Sequence, residues 1–333
     1  MKKLFLLSAL ALFTFLSYTQ AQAVAKTIVV EHFTNSRCGI CASRNPGFYA
    51  NLNQQEGVLH LAIHPSSPYN SCIFYLANPV ENDARTNYYG IYGGTPRLVI
   101  EGVVISAGTN YGNASIFTPY QNQTTPVSLR IRQTKEQGMM TVSVTIKAEA
   151  DNTIGDARLF LAAAEKRVVY NAPNGEGEHH DVFRKTFNGE PTGATVAVPA
   201  IAGDSLVITG MLTPDANWVF DQLYTMAILQ SATDREVFQA AAAAPSDNEP
   251  LVGTFEVNEL AASIFPNPVT DLLQVRLAGS EKARVRLYST QGVLLQEQSF
   301  VGQVSLDVAT YPAGIYWLEV EAAGKQAVRK IVK

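Results

Sequence analysis

From Pro126 onward apolar residues recur at every second position, and that period of two does most to narrow the folds open to this chain. Val127, Leu129 and Ile131 alternate with Ser128, Arg130 and Arg132; Val142, Val144 and Ile146 alternate with Ser143, Thr145 and Lys147. Successive side chains of a strand point to opposite faces, so this spacing builds sheets with one apolar and one wet face and cannot build the stripe of an amphipathic helix. Thr195–Val198, Leu206–Thr209 and Leu223–Gln230 continue the series with turn residues between them, which predicts an all-β sandwich over residues 125–242. Ala240–Ala244 and the polar, proline-bounded run from Pro245 to Pro250 read as a linker, set at 243–259. Beyond it, Leu272–Val275, Ala283–Tyr288, Val293–Gln296, Val304–Val308, Gly314–Val320 and Ala327–Val332 are short strands at regular spacing, the pattern of a small all-β domain over 260–333.

The texture before Pro126 is different. Thr27–Val30 is a short β-branched strand, Ala42–Gln55 is compatible with a helix that Pro46 should kink, and Val58–Ile63 reads as a second strand. Asn82–Tyr89 is a polar-faced helix, Arg97–Ile100 a third strand, and Gly102 can turn it into Val103–Ile105. Alternating strands and helices predict an α/β domain over 24–124.

Composition excludes several classes of function. Hydrophobic residues make up 47% and charged residues 16% of the 333 positions, so the chain has core to bury in two or three domains. A net charge of −4 leaves no basic excess to neutralise phosphates, so no nucleic-acid partner is expected. Lys2 and Lys3, the apolar run Leu4–Leu16 and the small residues of Ala21-Gln22-Ala23 form a secretory signal peptide over 1–23, with no cysteine after the run to carry a lipid. No later apolar run is long enough to span a membrane as a helix. No GxSxG, P-loop, HExxH or GxGxxG occurs in a supporting context, which leaves hydrolase, kinase and dehydrogenase readings without support. Glu178-His179-His180-Asp181, after the glycine-rich Asn174–Gly177, reads as a solvent loop.

An exported chain with three cysteines, Cys38, Cys41 and Cys72, is too poor in them for a disulfide-stapled scaffold. The spacing of the first two carries the chemistry. Cys38-Gly39-Ile40-Cys41 stands between a strand and a helix, where unpaired N–H groups and the helix dipole favour a thiolate, and Arg37 adds a formal positive charge. Cys38 is then the nucleophile, and Cys41, one turn on, is placed to resolve a mixed disulfide. A structural disulfide and half of a zinc site fit the same spacing; no second CxxC or HxxxH accompanies it, and His60 and His64 read as strand-face residues. Cys72 reads as a buried apolar thiol.

The run Ile28–Cys41, Pro46 eight positions after Cys38, and Thr95-Pro96 ahead of Arg97–Gly102 together resemble the thioredoxin fold. Glu31-His32-Phe33-Thr34 before the pair is similar to the thioredoxin-like, Omp-related outer membrane proteins of Bacteroidota. The resemblance covers about 26–112 and implies that Thr95 and Pro96, joined by a cis peptide, face Cys38 and Cys41 and shape a substrate groove. This chain departs from the usual thioredoxin pattern in carrying Arg37 before the pair, Gly39-Ile40 within it, and His32 where a buried acid stands six positions upstream.

Ile264-Phe265-Pro266-Asn267-Pro268, the strand Gly314–Leu318 and the basic ending Arg329–Lys333 resemble the C-terminal sorting domain of type IX secretion cargo. The combined expectation is an α/β thioredoxin-like domain, a β-sandwich and a sorting domain, exported to the cell surface or the medium. It implies thiol–disulfide exchange on thiol- or disulfide-containing extracytoplasmic proteins, with the type IX machinery as a second partner and with no cofactor and no metal. A surface binding protein with a non-catalytic scaffold is the alternative.

Overall fold

The computed structural model describes residues 23–136, 138–249, 262–277, 282–289, 294–322 and 325–333. Apart from Ala23 the expected signal peptide lies outside the described residues, as do residues 250–259 of the expected linker. The chain forms two compact units divided near residue 251.

The first unit opens with β1 (Val24–Ala25), β2 (Ile28–Phe33), α1 (Gly39–Leu52), β3 (Val58–Ile63), α2 (Ile73–Ala77), α3 (Pro79–Tyr88), β4 (Arg97–Ile100) and β5 (Val103–Val104). Every residue of β2 is buried, which suits its unbroken Ile-Val-Val start to a central strand. β2 and β3 are parallel, in register Val30 to His60, and a parallel pair needs a crossover, here α1. That helix begins at Gly39 rather than at Ala42 and runs on through Pro46, because Cys38 is already its cap. α3 starts on Pro79, with the Asn78 side chain accepting the Glu81 N–H, so both of its first-turn requirements are met locally. Glu101 (φ 52°) and Gly102 (φ 84°) make the tight turn from β4 to β5; a Cβ on Gly102 would fall 1.9 Å from the Arg235 carbonyl oxygen.

β6 (Thr124–Thr125), β7 (Val127–Glu136), β8 (Met139–Ala148), β9 (Asp156–Val169), β10 (Glu178–Thr186), β11 (Ala194–Ala197), β12 (Ser205–Leu212), β13 (Leu223–Ser231) and β14 (Val237–Ala242) follow. The boundary expected at 124/125 does not separate two bodies. One sheet runs β14-β13-β9-β10-β3-β2-β4-β5, with β11 also on β9, so strands from both sides of residue 125 share it. The join is a parallel pairing of β10 with β3 through Val182 and Ala62. The expected sandwich is present in that β12-β8-β7 packs over β9 and β13, with Val142, Val144 and Ile146 against Leu159, Leu161 and Leu229. The alternate residues of β9, Phe160, Ala162 and Ala164, enter a second core with Val29, Phe33, Leu61 and Ile63. β9 is thus buried on both faces and ties the two cores together.

Three sequence expectations are corrected here. Glu178–Asp181 is the start of strand β10, not a solvent loop, and His179 and Asp181 are buried. Ala240–Ala242 belongs to β14, whose small side chains pair with Met226–Ile228. The described part of the expected linker, 243–249, is laid along β7: the Gln133 side chain donates to the Ala244 and Asp247 carbonyls, and the Glu249 N–H donates to the Gln133 carbonyl.

The second unit is a two-layer β fold of β15 (Ala262–Phe265), β16 (Leu272–Leu277), β17 (Lys282–Ser289), β18 (Leu294–Val301), β19 (Gln303–Asp307), β20 (Ile315–Ala322) and β21 (Lys325–Val332). One sheet runs β15-β16-β19 and the other β18-β17-β20-β21. Leu273, Val275, Val285, Leu287, Leu318 and Val320 fill the space between them. Each fully buried aliphatic side chain there contributes about 1.5–3 kcal/mol, so the second unit has a hydrophobic core of its own.

The shared sheet makes a testable claim. A fragment of residues 23–124 leaves the β3 edge and one wall of its core uncovered and should be unfolded by circular dichroism, whereas 23–249 should melt cooperatively. A cooperatively folded 23–124 fragment would show that the two halves are separable.

Candidate functional site

The two cysteines occupy the first turn of α1, at the C-terminal end of β2. Cys38 is the helix cap, and its sulfur accepts the Cys41 backbone N–H at 3.1 Å. The Thr95–Pro96 peptide is cis and brings Thr95 onto the pair. The Cys38 thiol donates to the Thr95 carbonyl at 3.5 Å, and the Cys41 thiol to the Thr95 hydroxyl at 3.2 Å. Cys41 is wholly buried and Cys38 is 3% exposed. Neither is in a disulfide.

The two thiols are electrically unequal. Hydrogen bonds from the Cys41 thiol, the Thr95 hydroxyl and the Cys41 and Ile40 N–H groups outweigh burial and bring Cys38 down to about 6. At pH 7 that makes the thiolate the favoured form of Cys38, against about 3% for a free thiol. The hydrogen bond to Cys38, then burial, push Cys41 far up. The N–H groups at the helix end are among the causes that lower Cys38. The Arg37 guanidinium donates to the Ser71 carbonyl at 2.9 Å.

The hairpin between β9 and β10 braces the motif from outside. The Asn174 side chain donates to the Asn35 and Cys38 carbonyls and to Glu176, and its N–H donates to the Ser36 carbonyl. The Glu176 carboxylate also accepts Asn45 Nδ2 at 2.7 Å, and the same Asn45 nitrogen reaches the Thr34 hydroxyl at 3.0 Å. Asn45 lies one turn beyond Cys41 on the inner face of α1. Beneath that face, His32 packs on Phe48 with ring centroids 4.8 Å apart. His32 Nδ1 meets His60 Nε2 at 3.4 Å, and His60 Nδ1 meets Asp181 Oδ2 at 2.9 Å. Lys166 and Tyr224 hold the other Asp181 oxygen at 2.8 and 2.7 Å. Among the described residues no three of His, Cys, Asp and Glu are grouped to hold a metal ion. Glu31 points to the opposite face, where Arg85 binds it at 2.6 and 2.9 Å.

Residues 263–333 match the family of secretion system C-terminal sorting domains. This is an exported protein, bound for the cell surface or the medium. No curated protein matches the chain. Among solved structures it is similar to HBP35 of Porphyromonas gingivalis, with 15% identity and a TM-score of 0.58 over 92% of this chain and 98% of that one. A domain of the outer membrane lipoprotein Omp28 from Porphyromonas gingivalis is matched at 15% identity and a TM-score of 0.27, over 36% of this chain and 88% of that one. At these identities the HBP35 likeness concerns the fold alone.

All four site residues expected from sequence, Cys38, Cys41, Thr95 and Pro96, come together in this exported protein. Cys72 is buried among Phe74 and Val182 and accepts the Ser36 hydroxyl at 3.1 Å. His60 lies in strand β3, as read from sequence; sequence reasoning missed Asn45, Asn174 and Glu176 as neighbours of the motif, and Asp181 as the partner of His60. Asn45 had a signal, its spacing of four from Cys41; the hairpin residues lie more than 130 positions away and had none.

The inequality of the thiols is measurable. Alkylation of Cys38 in the reduced protein should rise through a midpoint near pH 6, with no Cys41 modification below pH 9. Thr95→Val, which removes a hydrogen bond to the thiolate, should raise the midpoint. Two equal midpoints near 8.5, the ordinary range for cysteine, would contradict this assignment.

Proposed function

We propose that this chain is an exported thiol–disulfide oxidoreductase acting on extracytoplasmic proteins through Cys38 and Cys41. The observation that carries the reading is the division of labour in the pair: one sulfur held as thiolate at the helix end and a buried thiol one turn behind it. Cys38 attacks a substrate disulfide, giving a mixed disulfide and a released substrate thiolate; Cys41 then displaces the substrate and closes the Cys38–Cys41 bond. Thr95 and Pro96 line the approach. The order β2-α1-β3-α2-α3-β4-β5, with the pair opening α1 and Thr95-Pro96 ahead of β4, supports a thioredoxin-like reading of this part of the unit. Ile40, Tyr69 and Tyr92, which belong to segments around the pair, are exposed at 63%, 43% and 68% and suit an apolar polypeptide substrate. The sorting tail supports passage through the type IX machinery of a Bacteroidota cell.

Reduction of insulin by the mature chain tests the activity. Cys41→Ser should leave Cys38 joined to substrate proteins as stable mixed disulfides, whereas Cys38→Ser should abolish capture. No insulin reduction and no captured partner would instead favour a surface binding protein on a non-catalytic scaffold, a reading that the 3% exposure of Cys38 also supports.

The tail gives a separate test. Deletion of residues 260–333 should leave the first unit folded and retained in the periplasm, since each unit has its own core. Unchanged levels at the surface or in the medium would remove the sorting role.

A further inference from the structure

Arg85 carries more donors than its neighbours take up. Its Nε and Nη2 hold the Glu31 carboxylate at 2.6 and 2.9 Å, and Nη2 also reaches the Tyr89 hydroxyl at 3.0 Å and the Gln230 side-chain oxygen at 2.7 Å. A guanidinium has five N–H groups and accepts nothing, so the two on Nη1 remain. Nη1 is buried and has no hydrogen-bond partner among the described residues, and neither has the buried hydroxyl of Tyr88, three residues further along α3. Arg85 as a whole is fully buried, which makes an unpaired N–H there costly.

Both orphaned groups are donors. Burial pushes the Tyr88 hydroxyl up, against the pull of Arg85, Arg158 and Arg235, so it keeps its hydrogen at neutral pH. What completes the pair must therefore accept.

The charge nearby fixes the sign of that acceptor. The guanidinium carbons of Arg85 and Arg235 stand 5.0 and 5.3 Å from the Tyr88 ring centroid. Arg158 shares one face of β9 with Phe160, the ring on which Arg85 stacks at 4.1 Å, and is paired across the sheet with Gln230. Glu31 balances Arg85. Arg158 donates to the Gly193 carbonyl at 3.0 Å, a neutral acceptor, and neither it nor Arg235 forms an ion pair among the described residues. Asp234, beside Arg235 in the β13–β14 turn, accepts the Glu236 N–H at 3.2 Å. Two buried donors without an acceptor thus lie beside two cations without a counter-charge.

We infer that Arg85 Nη1 and the Tyr88 hydroxyl, with Arg158 and Arg235 around them, form a binding site for one small monovalent anion, a halide or a carboxylate the size of formate. Tyr88 and Arg158 are half-buried and Arg235 is exposed, so the site opens at the rim of the core and the ion enters from solvent. The Arg235 carbonyl accepts Gln230 Nε2 at 3.1 Å, which holds that turn to the residue that also holds Arg85 and Tyr89. The ion joins α3, β9 and the β13–β14 turn, and its binding is read as stability of the first unit. The site is independent of the cysteine pair and of the exchange activity.

Circular dichroism tests it, with the mature chain melted at constant ionic strength while sodium isethionate, a bulky sulfonate, is replaced by sodium chloride or sodium formate. The first-unit transition should rise with the logarithm of the small anion's concentration, by about 3–6 °C at ten times its dissociation constant. Tyr88→Phe keeps the ring and removes one donor. It should lose most of the anion dependence and, in isethionate alone, melt no lower than the native chain, because an unpaired buried hydroxyl has gone. Arg235→Gln should weaken binding several-fold. The chloride magnetic-resonance line should broaden with the native chain and return toward the width of the free ion with Tyr88→Phe. A response to either anion that Tyr88→Phe abolishes supports the site. Melting indifferent to both anions overturns it, and so does an equal response in Tyr88→Phe. Melting of Tyr88→Phe well below the native chain in isethionate overturns it as well, since the hydroxyl would then have a partner within the protein.

Discussion

The pairing of β10 with β3 is the constraint on which the rest of the first unit depends. Without it β3 would end the sheet with an open row of N–H and C=O groups, and the core formed by Leu61, Ile63 and Phe33 would lose Phe160, Ala164 and Phe183. The pairing also delivers the tip of the β9–β10 hairpin to the cysteines. Asn174 reaches the Cys38 carbonyl, Glu176 reaches Asn45, and Asp181 reaches His60. One hairpin therefore closes the sheet, braces the helix that carries the pair and supplies the carboxylate beneath it. This coupling explains why a boundary drawn by texture at residue 125 falls inside a single compact body.

The polar layer under α1 shows how charge is partitioned by the two faces of β2. Side-chain alternation along the strand sends His32 toward α1 and Glu31 away from it. Glu31 is taken up by Arg85 and Tyr89, both of which Gln230 also holds, in a buried cluster, with the Arg85 guanidinium 4.1 Å from the Phe160 ring centroid. An acid so engaged is not available to the cysteines. The α1 face is left with His32 and His60, with an Asp181 that Lys166 and Tyr224 also hold, and with Glu176 at its edge, engaged by Asn45 and Asn174.

What could be read from sequence, and what could not, follows from which physical signals survive in a single chain. The period-two strands β7, β8 and β12 were legible because each has a wetter face; so was the cysteine pair, because its chemistry is local to one helix turn. β9 was not legible: Leu159-Phe160-Leu161-Ala162-Ala163-Ala164 is apolar on both faces and poor in β-branched residues, so neither alternation nor propensity marks it. β10 was hidden for the opposite reason. His179, Asp181 and Arg184 are charged or polar residues that tertiary partners satisfy, and burial of that kind leaves no local pattern. The alanines of β14 and the tail 243–249 looked like a linker because their partners, Met226–Ile228 and Gln133, lie at least 12 and as many as 116 positions away.

The two cysteines would remain a spacing motif if only the helix acted on them. The helix end alone offers Cys38 its N–H groups, and these favour thiolate in any CxxC at such a position. What separates this site is the contact made by Thr95, whose carbonyl meets one sulfur and whose hydroxyl meets the other, so that a single residue on the loop before β4 spans both thiols. Thr95 therefore ties the two sulfurs to each other and to the loop before β4, which no spacing of cysteines along one helix could do.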